Sequence, residues 1–324
     1  MTSLRNPFTR PRHPPFVTTE VPPNAQDNYP TEHARTLRGT VMANVRVVTD
    51  SSCDLTDEQV AHSGIVVIAL TIRFGEEEFV DRRDLTPQTF WAKVAASSNL
   101  PETAAPSPGA FEEAFRQAAA DGCSGVVCIC LSSALSATYA SAALAAKTVA
   151  DVIDVRVIDS LSITSGLGTM ALAGADIART GASLGEVEEA ARANIGHTRV
   201  LAALDTLDNL KKGGRIGGAQ AFLGTLLSIK PLIDVSSGSV VEAGKQRTRA
   251  RALAALADFV KVDLAQHGTV RELSVRHGDA KDVEAMLTLL APHIPREQIS
   301  VGQIGAVIGA HGGPGVMGLT YVVG

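Results

Sequence analysis

The sequence predicts a two-domain α/β protein, in which a parallel-sheet α/β domain is followed by an α+β domain with a mixed or antiparallel sheet. The chain has 324 residues, more than one ordinary hydrophobic core holds. Apolar strand-like runs alternate with helix-like segments over residues 45–179, which is typical of parallel sheets. After residue 182 hairpin-like and helical segments follow one another instead. We therefore expect domains at 45–196 and 197–324.

Residues 1–44 differ from the rest of the chain and are predicted to be a disordered N-terminal extension. They carry much of the chain's proline and show no hydrophobic period. They also lack the apolar stretch of a signal peptide. Met42 stands immediately before the first predicted strand, so we interpret Met42 as the natural start of the protein.

In the first domain, short β-branched runs predict buried strands, and amphipathic or Ala-rich segments predict helices. The predicted strands are 45–49, 65–72, 126–130 and 155–159. The predicted helices are 56–63, 111–120, 137–150, 166–179 and 184–195. Ligands of parallel sheets lie beyond the carboxyl ends of the strands. The polar turns that start at Asp50, Leu131 and Asp159 all follow predicted strands, so we expect a site there.

In the second domain the pattern predicts a sheet with helices packed on it. The predicted elements are a short apolar segment at 200–204, a further short segment at 207–212, a hairpin at 234–241, a helix at 247–264, a strand at 272–277, a helix at 280–290, and strands at 299–308 and 318–323. The last two strands flank a Gly- and Pro-rich loop that contains His311. This order predicts an α+β domain.

Composition excludes several functions. The formal net charge of −5 provides no positive field for nucleic acid. No apolar stretch reaches the ~18 residues that a membrane span needs, so stable membrane insertion is not expected. The cysteines near Cys128 have poor spacing for a metal and suit buried, reduced thiols in the cytoplasm. No P-loop or dinucleotide signature is present, so no nucleotide cofactor is expected.

Two segments far apart in the chain predict a site for an anionic group. Leu131-Ser-Ser-Ala-Leu-Ser-Ala-Thr138 follows a buried strand and leads into a helix. Its hydroxyls therefore lie beside free backbone N–H groups, which bind carboxylates or phosphates. Ser136 alone could equally be a helix cap. The second segment, Ile308-Gly-Ala-His-Gly-Gly-Pro-Gly315, offers an imidazole with no evident structural role.

The motifs resemble a known family in order and in spacing. They are Val48-Thr-Asp-Ser-Ser52, Glu102-Thr-Ala-Ala-Pro-Ser-Pro-Gly109, Leu131 to Thr138, Leu210-Lys-Lys-Gly-Gly-Arg-Ile216, Arg247-Thr-Arg, and Ile308 to Gly315. From about residue 45 to the C-terminus the chain resembles the DegV family of bacterial fatty-acid-binding proteins. Some members are the lipid-carrying subunit of fatty acid kinase.

The resemblance implies that two domains enclose one fatty acid, with its tail buried and its carboxyl group held by hydroxyls and a histidine. Carried over by motif, the ligand-binding residues are Thr103, Ser136 and His311, with Arg247 near the head-group end. The chain departs from the usual family pattern at Ala104, Ala105 and Ala137. These departures put accessory polar contacts beside Thr103 in doubt.

The resemblance implies a carrier without catalytic residues, which presents a fatty acid to a separate ATP-dependent kinase that forms the acyl-phosphate. A serine hydrolase or acyltransferase is an alternative, with Ser136 or Ser133 as nucleophile and His311 as base. No Gly-x-Ser-x-Gly sequence surrounds either serine. A binding module for another anion is a third possibility, because a fold does not determine function.

Overall fold

The computed structural model describes residues 44–224 and 229–324. Almost all of the predicted disordered extension and the proposed start at Met42 lie outside the described residues, so both stay predictions. Among the helices described, none is both long enough and apolar enough to cross a membrane.

The described residues form thirteen strands and ten α-helices. The strands are β1 (Val45–Asp50), β2 (Val66–Ile68), β3 (Thr71–Phe74), β4 (Glu77–Val80), β5 (Glu102–Ala104), β6 (Gly125–Cys130), β7 (Val155–Asp159), β8 (Thr198–Ala203), β9 (Lys230–Asp234), β10 (Val241–Gln246), β11 (Val270–His277), β12 (Ser300–Gln303) and β13 (Met317–Val323). The helices are α1 (Asp57–Ser63), α2 (Pro87–Ala96), α3 (Pro108–Ala120), α4 (Thr138–Thr148), α5 (Thr164–Ala178), α6 (Leu184–Arg192), α7 (Asp208–Lys212), α8 (Arg249–His267), α9 (Val283–Leu290) and α10 (Ala306–Gly312).

The N-terminal part contains the predicted parallel sheet, with strand order β2-β1-β6-β7. All three strand pairs are parallel. Every residue of β6 is buried, as expected for a strand covered on both faces. Leu167 and Val187 from α5 and α6 pack on one face of this sheet, and Phe111 and Ala145 from α3 and α4 pack on the other. The predicted α/β fold is confirmed.

The C-terminal part contains a six-stranded sheet of order β10-β9-β8-β13-β11-β12. Only β11 and β12 pair in parallel, so the sheet is mixed, as predicted. Leu256 of α8 and Met286 of α9 cover one face. The opposite face contributes Val200 and Ile233 to a cluster that also contains Phe90 from the N-terminal part. The division at residue 196 stays a prediction.

The predicted single strand over 65–72 is wrong. β2 joins the parallel sheet, whereas β3 belongs to a separate three-stranded sheet of order β4-β3-β5. The chain turns between them, where the Leu70 N–H donates to the Ser51 hydroxyl. β3 and β4 then form a hairpin, with Gly75 at a positive φ. This small sheet matters because β5 carries Thr103.

The predicted strand over 299–308 is also wrong, because β12 ends at Gln303 and α10 begins at Ala306. The β-branched residues favour a strand locally, but Val307 and Ala310 are buried at helical spacing against the shared hydrophobic cluster. Tertiary packing therefore overrides local propensity. As a result His311 lies in the last turn of α10 rather than in a loop between strands.

Candidate functional site

A cavity of about 200 Å³ lies between the six-stranded sheet, α10 and the turn after β6. A water molecule needs only about 10–15 Å³, so this space is much larger than a packing defect. Its lining is mostly aliphatic. These side chains are Leu70, Leu131, Leu135, Ile163, Val200, Leu204, Leu210, Ile233, Val235, Val240, Ile304, Val307, Ile308 and Val316. We call this space the apolar cavity.

The sheet leaves room for the apolar cavity because small residues lie side by side on its inner face. Ala202 of β8 pairs with Gly318 of β13. A Cβ atom added at Gly318 would contact only the backbone oxygens of Arg276 and Leu201, at 3.5 Å and 3.7 Å, so no side chain lies directly against this position. Large side chains at these two positions would fill the apolar cavity, which makes their size a determinant of its depth.

Thr103 and His311 meet at one end of the apolar cavity. The Thr103 hydroxyl lies 2.9 Å from His311 Nε2, although 208 residues separate the two in sequence. β5 positions Thr103, and the last turn of α10 positions His311. Both residues line the apolar cavity. The structure therefore brings together two of the residues that the motifs selected.

The His311 ring is neutral at physiological pH. Burial, with the nearby positive charge of Arg215 as a second cause, lowers the pKa of His311 to about 4. Nδ1 is buried and has no hydrogen-bond partner among the described residues. A bare lone pair there costs less than an orphaned N–H, so we assign the hydrogen to Nε2. Nε2–H then donates to Thr103, and the Thr103 hydroxyl hydrogen is free to donate into the apolar cavity.

Gly213 makes room for the His311 ring, a role that sequence patterns did not directly indicate. A Cβ atom at Gly213 would lie 2.5 Å from Nδ1 of the ring. Any other residue at 213 would therefore displace the imidazole. The only available signal was the Gly-Gly pair in the Leu210 to Ile216 motif.

The serine turn lies at the same end of the apolar cavity, and a buried carboxylate holds it. Asp50 accepts hydrogen bonds from the Leu131 N–H at 2.7 Å and the Ser52 hydroxyl at 2.6 Å. Ser136 lines the apolar cavity, and its hydroxyl lies 2.9 Å from the Thr138 hydroxyl. Asp50 therefore acts structurally, as the cap of a short turn and as the anchor of the serine segment.

Arg215 connects the serine turn to the His311 end of the apolar cavity. Its guanidinium donates to the carbonyl oxygens of Leu135 at 2.9 Å and Gly213 at 2.6 Å. Arg215 also lines the apolar cavity. The Leu210 to Ile216 motif contains Arg215, but the motif alone assigned it no role in ligand binding. Arg247 is not brought to this end: it is exposed in the turn before α8 and does not line the apolar cavity, so its role in binding stays a prediction.

The described residues do not form a serine nucleophile with its base. The hydrogen bond of His311 Nε2 is with Thr103, and the hydroxyl of Ser136 lies beside Thr138. Ser133 is exposed and does not line the apolar cavity. The geometry thus suits recognition of an oxyanion, with hydroxyl donors and a nearby cation, better than attack on a carbonyl.

Comparisons with known proteins agree with the fold. The family model of the DegV family matches residues 44–323. A DegV domain-containing protein of Streptomyces coelicolor is 34% identical over 278 residues, which cover 85% of this chain and 97% of that protein. A DegV domain-containing protein of Deinococcus radiodurans is 33% identical over 276 residues, with coverage of 85% and 97%.

Solved structures resemble the chain over the same region. One is the structure of a DegV family protein of Thermus thermophilus that binds fatty acid, with a TM-score of 0.77 and 32% sequence identity. The match covers 86% of this chain and 99% of that one. DegV of Bacillus subtilis, described as a fatty acid binding protein, has a TM-score of 0.77 and 29% identity, covering 87% and 100%.

Proposed function

Since the chain belongs to the DegV family, we propose that it binds a long-chain fatty acid in the apolar cavity and presents the carboxyl group to a separate ATP-dependent kinase. Thr103, Ser136 and His311 hold the carboxylate in this proposal: the two hydroxyls donate to it, and His311 acts through its hydrogen bond to Thr103. The protein itself is a carrier and not an enzyme. The need for ATP places this role in the cytoplasm.

The observation that carries the proposal is the contrast between the two parts of one cavity. An aliphatic lining extends along the sheet, and one end carries the Thr103–His311 pair, Ser136 and Arg215. An amphipathic acid with one charged end matches this distribution. Binding of fatty acids by the relatives from Thermus thermophilus and Bacillus subtilis supports the same ligand class.

Burial of the tail supplies the affinity in this proposal. About 14 methylenes at ~0.8 kcal/mol each give on the order of 11 kcal/mol. Association costs ~4–15 kcal/mol, so the tail roughly offsets that cost. Each charge-assisted hydrogen bond to the carboxylate adds about 1.5–3 kcal/mol. The head-group contacts therefore contribute less than the tail and determine its direction.

The surface beside the Thr103–His311 end of the apolar cavity supports presentation to a kinase. Ala137 lines the apolar cavity and is exposed, so this end approaches the surface. Lys211 and Lys212 are exposed in the last turn of α7, close in sequence to Gly213 and Arg215. In a chain with a net charge of −5, a local basic surface can steer an acidic partner to the ligand.

Native mass spectrometry of the protein purified from bacterial cells tests the binding proposal. We expect the folded protein to retain the mass of a long-chain fatty acid, and denaturation to release it. Repeated preparations that are empty, and that do not take up added palmitate, would contradict the proposal. Acyl-phosphate formation by a fatty acid kinase with and without the loaded protein tests the presenting role separately.

A further inference from the structure

A second cavity, of about 360 Å³, lies beside the apolar cavity and has the opposite chemistry. The turn after β1, the turn before α2, and β12 form its walls. Ser51, Asp81 and Arg276 line it, and each is at least nine-tenths buried. Buried polar and charged groups are costly unless they are paired. We call this space the polar cavity.

Arg276 places a buried guanidinium in the wall of the polar cavity. The residue is 6% exposed. Its Nε donates to the Ser165 hydroxyl at 2.5 Å, but its two terminal nitrogens donate to no acceptor within 44–224 and 229–324. Gly302 lets the guanidinium lie across β12, because a Cβ atom there would overlap Nη1. The free donors of a buried cation therefore belong to a wall of the polar cavity.

Two carboxylates face the same space. Asp54 accepts hydrogen bonds from the Thr164 hydroxyl at 2.5 Å and the Gly305 N–H at 3.0 Å. Asp81 is 3% exposed, and burial raises its pKa to about 6. Burial is also the largest cause that raises the pKa of Asp54, despite the attraction of Arg276. Neither carboxylate is fully compensated by the cations around it.

Arg82 compensates these carboxylates only in part: its charge attracts both of them, but its terminal nitrogens donate to other acceptors. One of its terminal nitrogens donates to the Leu55 carbonyl oxygen at 2.6 Å, and the other donates to Asp57 at 2.5 Å. Gln303 adds an unsatisfied group, since its Oε1 is buried and has no hydrogen-bond partner among the described residues. The polar cavity therefore offers donors, acceptors and uncompensated charges of both signs.

The charges select the kind of ligand. A simple anion would pair with Arg276 but would be repelled by the carboxylates of Asp54 and Asp81. A simple cation would pair with those carboxylates but would leave the guanidinium of Arg276 without a partner. A molecule with both charges matches all three groups, because each buried charge gains a partner of opposite sign.

We propose that the polar cavity is a second binding site, for a free α-amino acid whose carboxylate pairs with Arg276 and whose ammonium group lies between Asp54 and Asp81. The Gln303 side-chain oxygen is a further acceptor for the ammonium group. This site does not depend on the proposed function, because the amino acid occupies a different space from the fatty acid.

Calorimetric titration of the full chain with each standard amino acid tests the proposal, and acetate and methylammonium serve as probes that carry one charge each. We expect at least one amino acid to bind with a Kd of about 1 mM or tighter. Both single-charge probes should bind at least about tenfold more weakly, because each leaves a buried charge unpaired. Failure of every amino acid to bind, or equal binding of acetate, would overturn the proposal.

Variants test the assigned contacts. Asp81→Asn keeps the shape of the side chain and removes its charge, and Arg276→Met removes the guanidinium. Each should weaken amino acid binding about tenfold or more. Arg199→Met is the matched control, because Arg199 pairs with Asp263 and does not line the polar cavity. Wild-type affinity in Asp81→Asn would overturn the placement of the ammonium group, even if Arg276→Met failed to fold. Palmitate binding by Asp81→Asn should be unchanged, because Asp81 does not line the apolar cavity.

Discussion

The apolar cavity and the polar cavity are neighbours that share a wall yet differ in almost every other respect. Arg276 is common to the lining of both. The first is lined mostly by aliphatic side chains and groups Thr103, Ser136, Arg215 and His311 at one end. The second buries Asp81 and a guanidinium together. The size of a cavity therefore says little about its ligand, whereas the arrangement of charge and apolar surface in its lining says a great deal.

Affinity should also arise differently in the two cavities. In the apolar cavity the affinity grows with the apolar surface that the acyl chain buries, so loss of one contact leaves most of the affinity. In the polar cavity the affinity depends on a few paired charges. Loss of one partner leaves another charge uncompensated, so a single substitution should remove much of the affinity. Substitutions can separate these two behaviours.

The largest effect is expected from filling the apolar cavity. Ala202→Phe places an aromatic ring where the acyl chain would lie. Displacing about four methylenes at ~0.8 kcal/mol each should weaken palmitate binding by a factor of about 200. Ala202→Gly, which leaves the space open, is the control. Fluorescence displacement with palmitate measures both variants, and unchanged binding in Ala202→Phe would place the ligand elsewhere.

A smaller effect is expected from one head-group contact. Thr103→Val keeps the shape of the side chain and removes its hydroxyl, so palmitate should bind about ten to a hundred times more weakly. Thr49→Val is the control, because the same substitution removes a buried hydroxyl that has no partner among the described residues and does not line the apolar cavity. The same titration compares them. Equal losses would show that the effect comes from stability and not from the contact.

A smaller effect again is expected at the surface beside the polar end. Reversing Lys211 and Lys212 to Glu should slow association with a fatty acid kinase several-fold at low salt and leave palmitate binding unchanged, because steering acts on the encounter. Stopped-flow association at two salt concentrations measures this. A double variant that associates at the wild-type rate in low salt would exclude this surface as the docking site.

The smallest effects are expected in the pH dependence of stability, where the two cavities should have opposite signs. The pKa of His311 is lowered from 6.5 to about 4, so the stability that its neutral form contributes is present above pH 6.5 and is lost as pH falls through 4. The pKa of Asp81 is raised from 3.8 to about 6, so its contribution is present below pH 3.8 and is lost as pH rises through 6.

Thermal melts against pH measure these contributions. His311→Gln should reduce the loss of melting temperature between pH 6.5 and 4. Asp81→Asn should raise the melting temperature relative to wild type near pH 7, where the wild-type carboxylate is ionised and buried. Melting curves in which neither variant changes the pH profile would contradict these assignments.

The sequence predicted the apolar cavity far better than the polar one. Buried β-branched runs predicted the parallel sheet, and the family motifs led to Thr103, Ser136 and His311. The three-stranded sheet was missed because its strands are short and β4 is largely exposed, so periodicity is weak. Helix α10 was missed because its β-branched residues favour a strand until tertiary packing is considered.

The polar cavity could not be predicted because no local pattern marks it. Asp54 and Arg276 are far apart in the chain, and each is unremarkable beside its sequence neighbours. Only the fold places them together, with Gly302 giving the guanidinium its room. Arg215 shows the same limit: its motif assigned it no role in binding, and the structure places it in the lining of the apolar cavity.

A crystal structure of the protein loaded with palmitate would show directly where the carboxylate lies. We expect a carboxylate oxygen within hydrogen-bond distance of the Thr103 hydroxyl, with the acyl chain running over Ala202 and Gly318. A carboxylate at the opposite end, beside Arg276, or a chain outside the apolar cavity would contradict this expectation.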